Sequence, residues 1–205
     1  MLIDISPLLD PSIAVWPGDV PFARTVSLDM SSGANLTLSD IRTTLHVGAH
    51  ADAPNHYSSA GGDIASRSLH FYIGPCTVVH VEGARGRRML PADVPDLALA
   101  PRVLFRTGTF PDVRNWNDDF ASFSPELLDW LHERGVITVG IDTPSVDPFD
   151  SKALEAHQRI AFHDMANLEG LVLDHVIPGE YELIALPLRI QHADASPVRA
   201  VLRKA

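Results

Sequence analysis

Apolar residues recur along the chain in short runs that alternate with polar residues or follow one another directly. The opening MLIDIS alternates, and similar runs occupy residues 35–45, 76–81, 103–105, 136–141, 171–173, 182–188 and 198–202. Their length and spacing predict strands. Turn-forming pieces such as Trp16-Pro17-Gly18-Asp19 and Ala60-Gly61-Gly62-Asp63 separate them. Two segments carry a helical period instead. Ser124-Pro125-Glu126, followed by Leu127, Leu128 and Leu131 and closed by Gly135, combines a cap, a first-turn proline, an apolar stripe and a terminating glycine. A second helix is predicted over residues 151–160, where Ala153, Leu154, Ala156 and Ile160 share a face and Ser151 can cap. Strands outnumber helices, which predicts a mixed α/β domain with a substantial sheet.

Size leaves room for one such domain. The chain has 205 residues, 45% of them hydrophobic, enough for one buried core and short for two. The formal charge of −10 has the wrong sign for holding a phosphate backbone, so nucleic acid is not an expected partner. No stretch approaches the roughly 20 apolar residues of a membrane span. The first twelve residues carry acid where a signal peptide carries base, so a cytoplasmic location is expected. The lone Cys76 excludes an internal disulfide and a cysteine-based zinc cluster. A metal here must rest on histidine and carboxylate.

Ten histidines are present, and three of them, His46, His50 and His56, fall within eleven residues together with Asp52. The offsets are 0, 4, 6 and 10, all even. A helix at about 100° per residue would put His46 and His50 on one face and turn Asp52 and His56 nearly opposite. A straight strand would keep one face but spread the array over about 33 Å. The segment must therefore be an extended chain that bends, and Gly48 and Pro54 supply the freedom and the fixed turn. Imidazole and carboxylate suit Zn²⁺ and similar divalent ions, and Asp52 can bridge two of them through its two oxygens. A bound ion makes hydroxide available near neutrality and polarises a carbonyl. Hydrolysis of an amide also needs a proton for the leaving nitrogen, a role that fits His56. No G-x-S-x-G elbow occurs, which disfavours a serine hydrolase. Taken singly, His157 reads as a helix-surface histidine, Glu169 before Gly170 as a solvated loop acid, and Trp16 as a packing residue in a turn.

The run His46-Val47-Gly48-Ala49-His50-Ala51-Asp52-Ala53-Pro54-Asn55-His56 resembles the signature H-x-G-T-H-x-D-x-P-x-H of the metal-dependent cyclase-like hydrolases, with Ala49 in place of the usual threonine. Within that family the chain is similar to the bacterial kynurenine formamidase branch, on the early Asp4-Ile5-Ser6-Pro7, the Trp16-Pro17-Gly18-Asp19 segment and the late His157 and Glu169. The resemblance implies a swivelling β/β/α type of fold and a homodimer. It implies two divalent ions per subunit, zinc foremost, held by His46, His50, Asp52, His157 and Glu169. Asp52 and Glu169 would bridge, His56 would remain the proton carrier, and Trp16 would form an aromatic wall. The implied activity is hydrolysis of N-formyl-L-kynurenine to L-kynurenine and formate in tryptophan degradation. Two other readings suit the same residues: hydrolysis of another small amide or cyclic imide, and a non-catalytic metal-binding protein. The residues 142–147, after an expected strand, are placed by position at the pocket rim.

Overall fold

The computed structural model describes residues 1–204. In chain order β1 (Leu2–Asp4) is followed by a ribbon of β2 (Ala23–Leu28) and β3 (Leu38–Arg42), then by β4 (His50–Asp52) and β5 (Ile73–His80). A two-residue strand β6 (Arg88–Met89) precedes β7 (Arg102–Arg106), and β8 (Ser122–Phe123) leads into helix α1 (Pro125–His132). The remainder is β9 (Thr138–Ile141), helix α2 (Glu155–Phe162), β10 (Ala166–Glu169), β11 (Gly179–Ile184), β12 (Ala195–Pro197) and β13 (Val201–Arg203). Nine of these form one mixed sheet in the order β1-β13-β11-β5-β7-β9-β10-β4-β12, parallel from β5 to β10 and antiparallel outside. Strand β12 ends that order and β13 stands second from its other end, with only residues 198–200 between them in the chain. Three residues span about 10 Å at most, so the sheet must curl back on itself. No helix among the described residues is long and apolar enough to cross a membrane.

Period-two alternation divides the core between the two faces of the sheet. Cys76 and Val78 of β5, Leu104 of β7 and Leu168 of β10 pack with Ala49, Ala51 and Ala53 on one side. Val79, Val103, Phe105, Val139 and Ile141 pack on the other side against Leu127, Leu128 and Leu131 of α1 and Ala156 and Ile160 of α2. Helix α1 follows its sequence signals, with the Ser124 hydroxyl accepting from the Leu127 amide at 3.1 Å and Gly135 turning the chain at φ 82°.

Three expectations are corrected. Residues 171–173 are apolar but form no strand, because Gly170 turns at φ 64° and takes the chain out of the sheet; the strand is the preceding β10. Helix α2 begins at Glu155, not at Ser151, because Leu154 is left-handed at φ 50°, and the Ser151 hydroxyl caps that turn by accepting from the Leu154 amide. The run 198–202 is divided, its start crossing between β12 and β13.

Candidate active site

The bend inferred for residues 46–56 is present on both sides of a three-residue strand. Gly48 turns the chain at φ 58°, β4 carries His50 to Asp52, and a single 3-10 turn at Pro54–His56 returns it. A side chain at Gly48 would strike Leu9 and Pro7 at 2.9 Å, so the bend is also packed shut. Because Ala49, Ala51 and Ala53 face the core, His50 and Asp52 face the opposite side. Strand β10 lies antiparallel beside β4 with Glu169 directly across from His50. Cross-strand partners share a face, so the register delivers Glu169 to the histidine array.

Helix α2 brings in the last donor. His157 is buried at 3% exposure, which corrects its reading as a helix-surface residue, and Glu169 is equally buried at 3%, not a solvated loop acid. Asp147 fixes His157 by accepting from its backbone amide at 3.0 Å and from its Nδ1 at 2.8 Å; Arg88 donates to the same carboxylate. The result is a compact cluster about Asp52. Its Oδ1 lies 3.0 Å from His46 Nδ1 and 3.5 Å from His50 Nε2, and its Oδ2 lies 3.4 Å from His157 Nε2. Glu169 completes both sides, with Oε2 3.2 Å from His50 Nε2 and Oε1 3.4 Å from His157 Nε2.

This spacing can be tested against a metal. Four ligands at about 2.1 Å around a tetrahedral ion stand about 3.4 Å from one another, the spacing seen here. His50 Nε2, Asp52 Oδ1 and His157 Nε2 are buried without a hydrogen-bond partner among the described residues, an arrangement that costs stability unless something else binds them. The other atoms of the donors are pinned. His50 Nδ1 sits 2.9 Å from the Gly48 carbonyl, Asn167 donates to Asp52 at 2.7 Å and to Glu169 at 3.1 Å, and the Val146 amide donates to Glu169 at 2.9 Å. Such outer contacts orient ligands toward a metal. The donor set therefore fits divalent ions, and His50, Asp52 and Glu169 form one convergent group. A second convergent group joins His46 and Asp52 with His56, a geometry that the sequence reading does not include.

The charges agree with that reading. Burial opposes ionisation of Asp52, yet His157, His46 and His50 hold its carboxyl well below the usual range. Burial likewise works against charge on His46, but the Asp52 and Asp194 carboxylates outweigh it and raise the ring to about 9. His157 is raised as well: burial opposes it, and Asp147, Asp52 and Glu169 prevail. His56 goes the other way, its pKa lowered chiefly by burial. Two buried carboxylates thus demand positive charge at the cluster.

Above the cluster lies a cavity of about 270 Å³. Its inner end is formed by His46, His50, His56, His157 and Glu169, and its walls by Trp16, Phe110 and Trp116. Trp16 packs edge-on to Trp116 at 5.2 Å and beside Phe149 at 5.1 Å, so it lines the cavity as part of an aromatic group. Asp142, Pro144 and Ser145 reach the cavity from the segment after β9, where position alone had placed them. Sequence reasoning missed Asn167, Asp194, Phe110 and Trp116, and placed Asp147 only by position, without its contact to His157. Single polar or aromatic residues in irregular segments carry no periodic signal, and only the fold assembles them.

A curled mixed sheet with an imidazole and carboxylate cluster on β4, β10 and the adjoining helix α2 defines a cyclase-like hydrolase, and the family model "Putative cyclase" matches residues 3–148. The chain belongs to this cyclase family. It is 45% identical over 205 residues to the kynurenine formamidases of Bordetella petrii and Bordetella pertussis, covering 99% of this chain and 98% of each relative. Its fold is shared by a potential metal-dependent hydrolase with cyclase activity, at TM-score 0.85 and 23% identity over 100% of this chain and 99% of that one. It is shared also by isatin hydrolase A from Labrenzia aggregata, at TM-score 0.79 and 20% identity over 98% and 93% of the two chains.

One position ties the fold to the cluster. A Cβ on Gly170 would lie 2.1 Å from the Gly48 carbonyl oxygen, the group that orients His50, and Gly170 is already left-handed. Gly170→Ala is expected to cost about 2–5 kcal/mol, from left-handed strain plus overpacking. A thermal melt should show a loss of roughly 5–15 °C. An unchanged melting temperature would mean that the two loops part freely.

Proposed function

We propose that the chain hydrolyses N-formyl-L-kynurenine to L-kynurenine and formate, in tryptophan degradation, as a metal-dependent arylformamidase. Two divalent ions, zinc foremost, would be held by His46, His50, Asp52, His157 and Glu169. What carries the reading is the donor cluster at the floor of an aromatic cavity in a chain 45% identical, end to end, to kynurenine formamidases. When bound, the ions would polarise the formyl carbonyl and lower the pKa of water toward about 7.

The chain's own residues do the rest. Trp16, Phe110 and Trp116 offer ring faces to the aryl group and keep water from it. That orients the formyl group toward the inner end. As the C–N bond breaks, the nitrogen must gain a proton while the carbon keeps the oxygen of water. His56 stands beside the inner end with Nδ1 turned toward Asp194 at 3.6 Å, and we assign its Nε2 as the proton donor. The 205 residues would work as one domain, paired as a homodimer in the cytoplasm.

The purified protein should release formate and L-kynurenine from N-formyl-L-kynurenine in equal amounts, followed by absorbance and formate assay. A cyclic imide should be turned over far more slowly. Preference for the imide would sink the formamidase assignment while leaving a hydrolase.

A further inference from the structure

The substrate proposed above carries more than a formamide. Beyond the ring it has an α-amino acid, with an ammonium and a carboxylate, and a selective pocket must meet at least one of them. Among the described residues, no lysine or arginine lines the cavity. The carboxylate therefore meets no lysine or arginine there, and the histidines of the lining belong to the donor cluster and its proton carrier. Acids are available, and only one outside the histidine cluster is uncommitted. Asp142 accepts from the amides of Thr107 and Gly108, each at 2.8 Å, and from the Thr107 hydroxyl at 2.6 Å, so its oxygens are spent on its own loop. Asp19 accepts a single hydrogen bond, from the Thr44 hydroxyl to Oδ2 at 3.1 Å.

Asp19 is also held where a recognition group should be. Its backbone amide donates to the Trp16 carbonyl at 2.9 Å, so one tight turn fixes the Trp16 ring and the Asp19 carboxylate together at the cavity wall. The same Thr44 hydroxyl accepts from the His46 amide at 3.3 Å, and the Thr44 amide donates to the Val20 carbonyl at 3.0 Å. A short chain of hydrogen bonds thus ties Asp19 to the segment that carries the donor cluster. Asp19 is solvent-exposed and lines the same cavity as Trp16, so an amino-acid arm that leaves the ring toward this turn would meet its carboxylate.

We infer that Asp19 is a specificity-determining residue that binds the α-ammonium group of the substrate, so that the site selects aryl formamides bearing a cationic amine and rejects those bearing only an acid. This rests on the formamidase reading, and the test separates the two. Asp19→Asn keeps the shape and the acceptor for Thr44 while removing the charge. Two substrates are compared, N-formyl-L-kynurenine and 2-formamidoacetophenone, which has the same ring, ketone and formamide but no amino acid. A contact to a charged group remote from the reacting bond should appear as uniform binding, so the variant's preference for formylkynurenine over the analogue should fall about 10- to 100-fold, carried by KM. L-Kynurenine should weaken in parallel as a competitive inhibitor. An unchanged preference, or equal losses on both substrates, would overturn the role of Asp19. Failure of the unmodified protein to hydrolyse either substrate would overturn the formamidase reading, and this inference with it.

Discussion

Asp52→Asn is expected to reduce turnover by more than about 100-fold and to strip the protein of its bound metal, because residues that merely orient ligands already cost 10- to 100-fold when changed. The geometry leaves no substitute. Asp52 has no exposed side-chain surface, and its two oxygens face different donors, Oδ1 toward His46 and His50 and Oδ2 toward His157. An amide of the same shape fills the space and supports the fold, but it has lost the charge and presents an N–H pair on one side. That N–H pair meets either His46 and His50, as a donor where an acceptor is needed, or the Asn167 amide that donates to Oδ2 at 2.7 Å. One of the two sides must fail. Glu169 cannot take over, since it already spans His50 and His157. Metal analysis of the variant, beside kcat for formylkynurenine, checks the expectation, and circular dichroism confirms that the fold persists. Two ions per subunit and ordinary turnover in this variant would remove Asp52 from the centre of the site.

That centrality was legible from spacing alone, but the partners of Asp52 were not. Even offsets and the Gly48 and Pro54 breaks required a bent extended segment, and β4 with its flanking turns is such a segment. Helix α1 was legible too, because its cap, proline and apolar stripe are local signals. Strand β10 was hidden for an instructive reason. Ala166-Asn167-Leu168-Glu169 does alternate, with Ala166 and Leu168 in the core, but over four residues, and its two polar positions are spent on the site. The apolar residues 171–173 drew the expectation one turn too late. His157 and Glu169 came from resemblance, not from pattern, since what unites them with Asp52 is strand register and the docking of α2. Those are tertiary facts. Asp147 belongs to the same class, placed by position at the pocket rim, with its hold on both the amide and the ring of His157 visible only in the fold.

His56→Ala is expected to lower kcat roughly 10²- to 10⁴-fold, the range for losing a positioned proton donor, while the protein keeps its full complement of metal. The structure makes this a real contest, because His46, Asp52 and His56 converge closely enough to hold an ion together. Burial argues for the proton. The side chains of His50, Asp52, His157 and Glu169 are 2%, 0%, 4% and 5% exposed and that of His46 17%, whereas His56 is 31% exposed, at the edge where protons exchange with water. A ligand buried with its partners and a shuttle open to solvent are different designs. The partial burial of His56 shifts its pKa downward from the ordinary histidine value. Leaving-group chemistry separates the roles further. If His56 protonates the departing nitrogen, an electron-withdrawing substituent on the aryl ring makes that nitrogen leave without help, and the deficit of the variant should shrink as the amine becomes less basic. If His56 is a ligand, metal content falls and the deficit stays constant across the series, because the lost group then acts on the carbonyl and on water for every substrate alike.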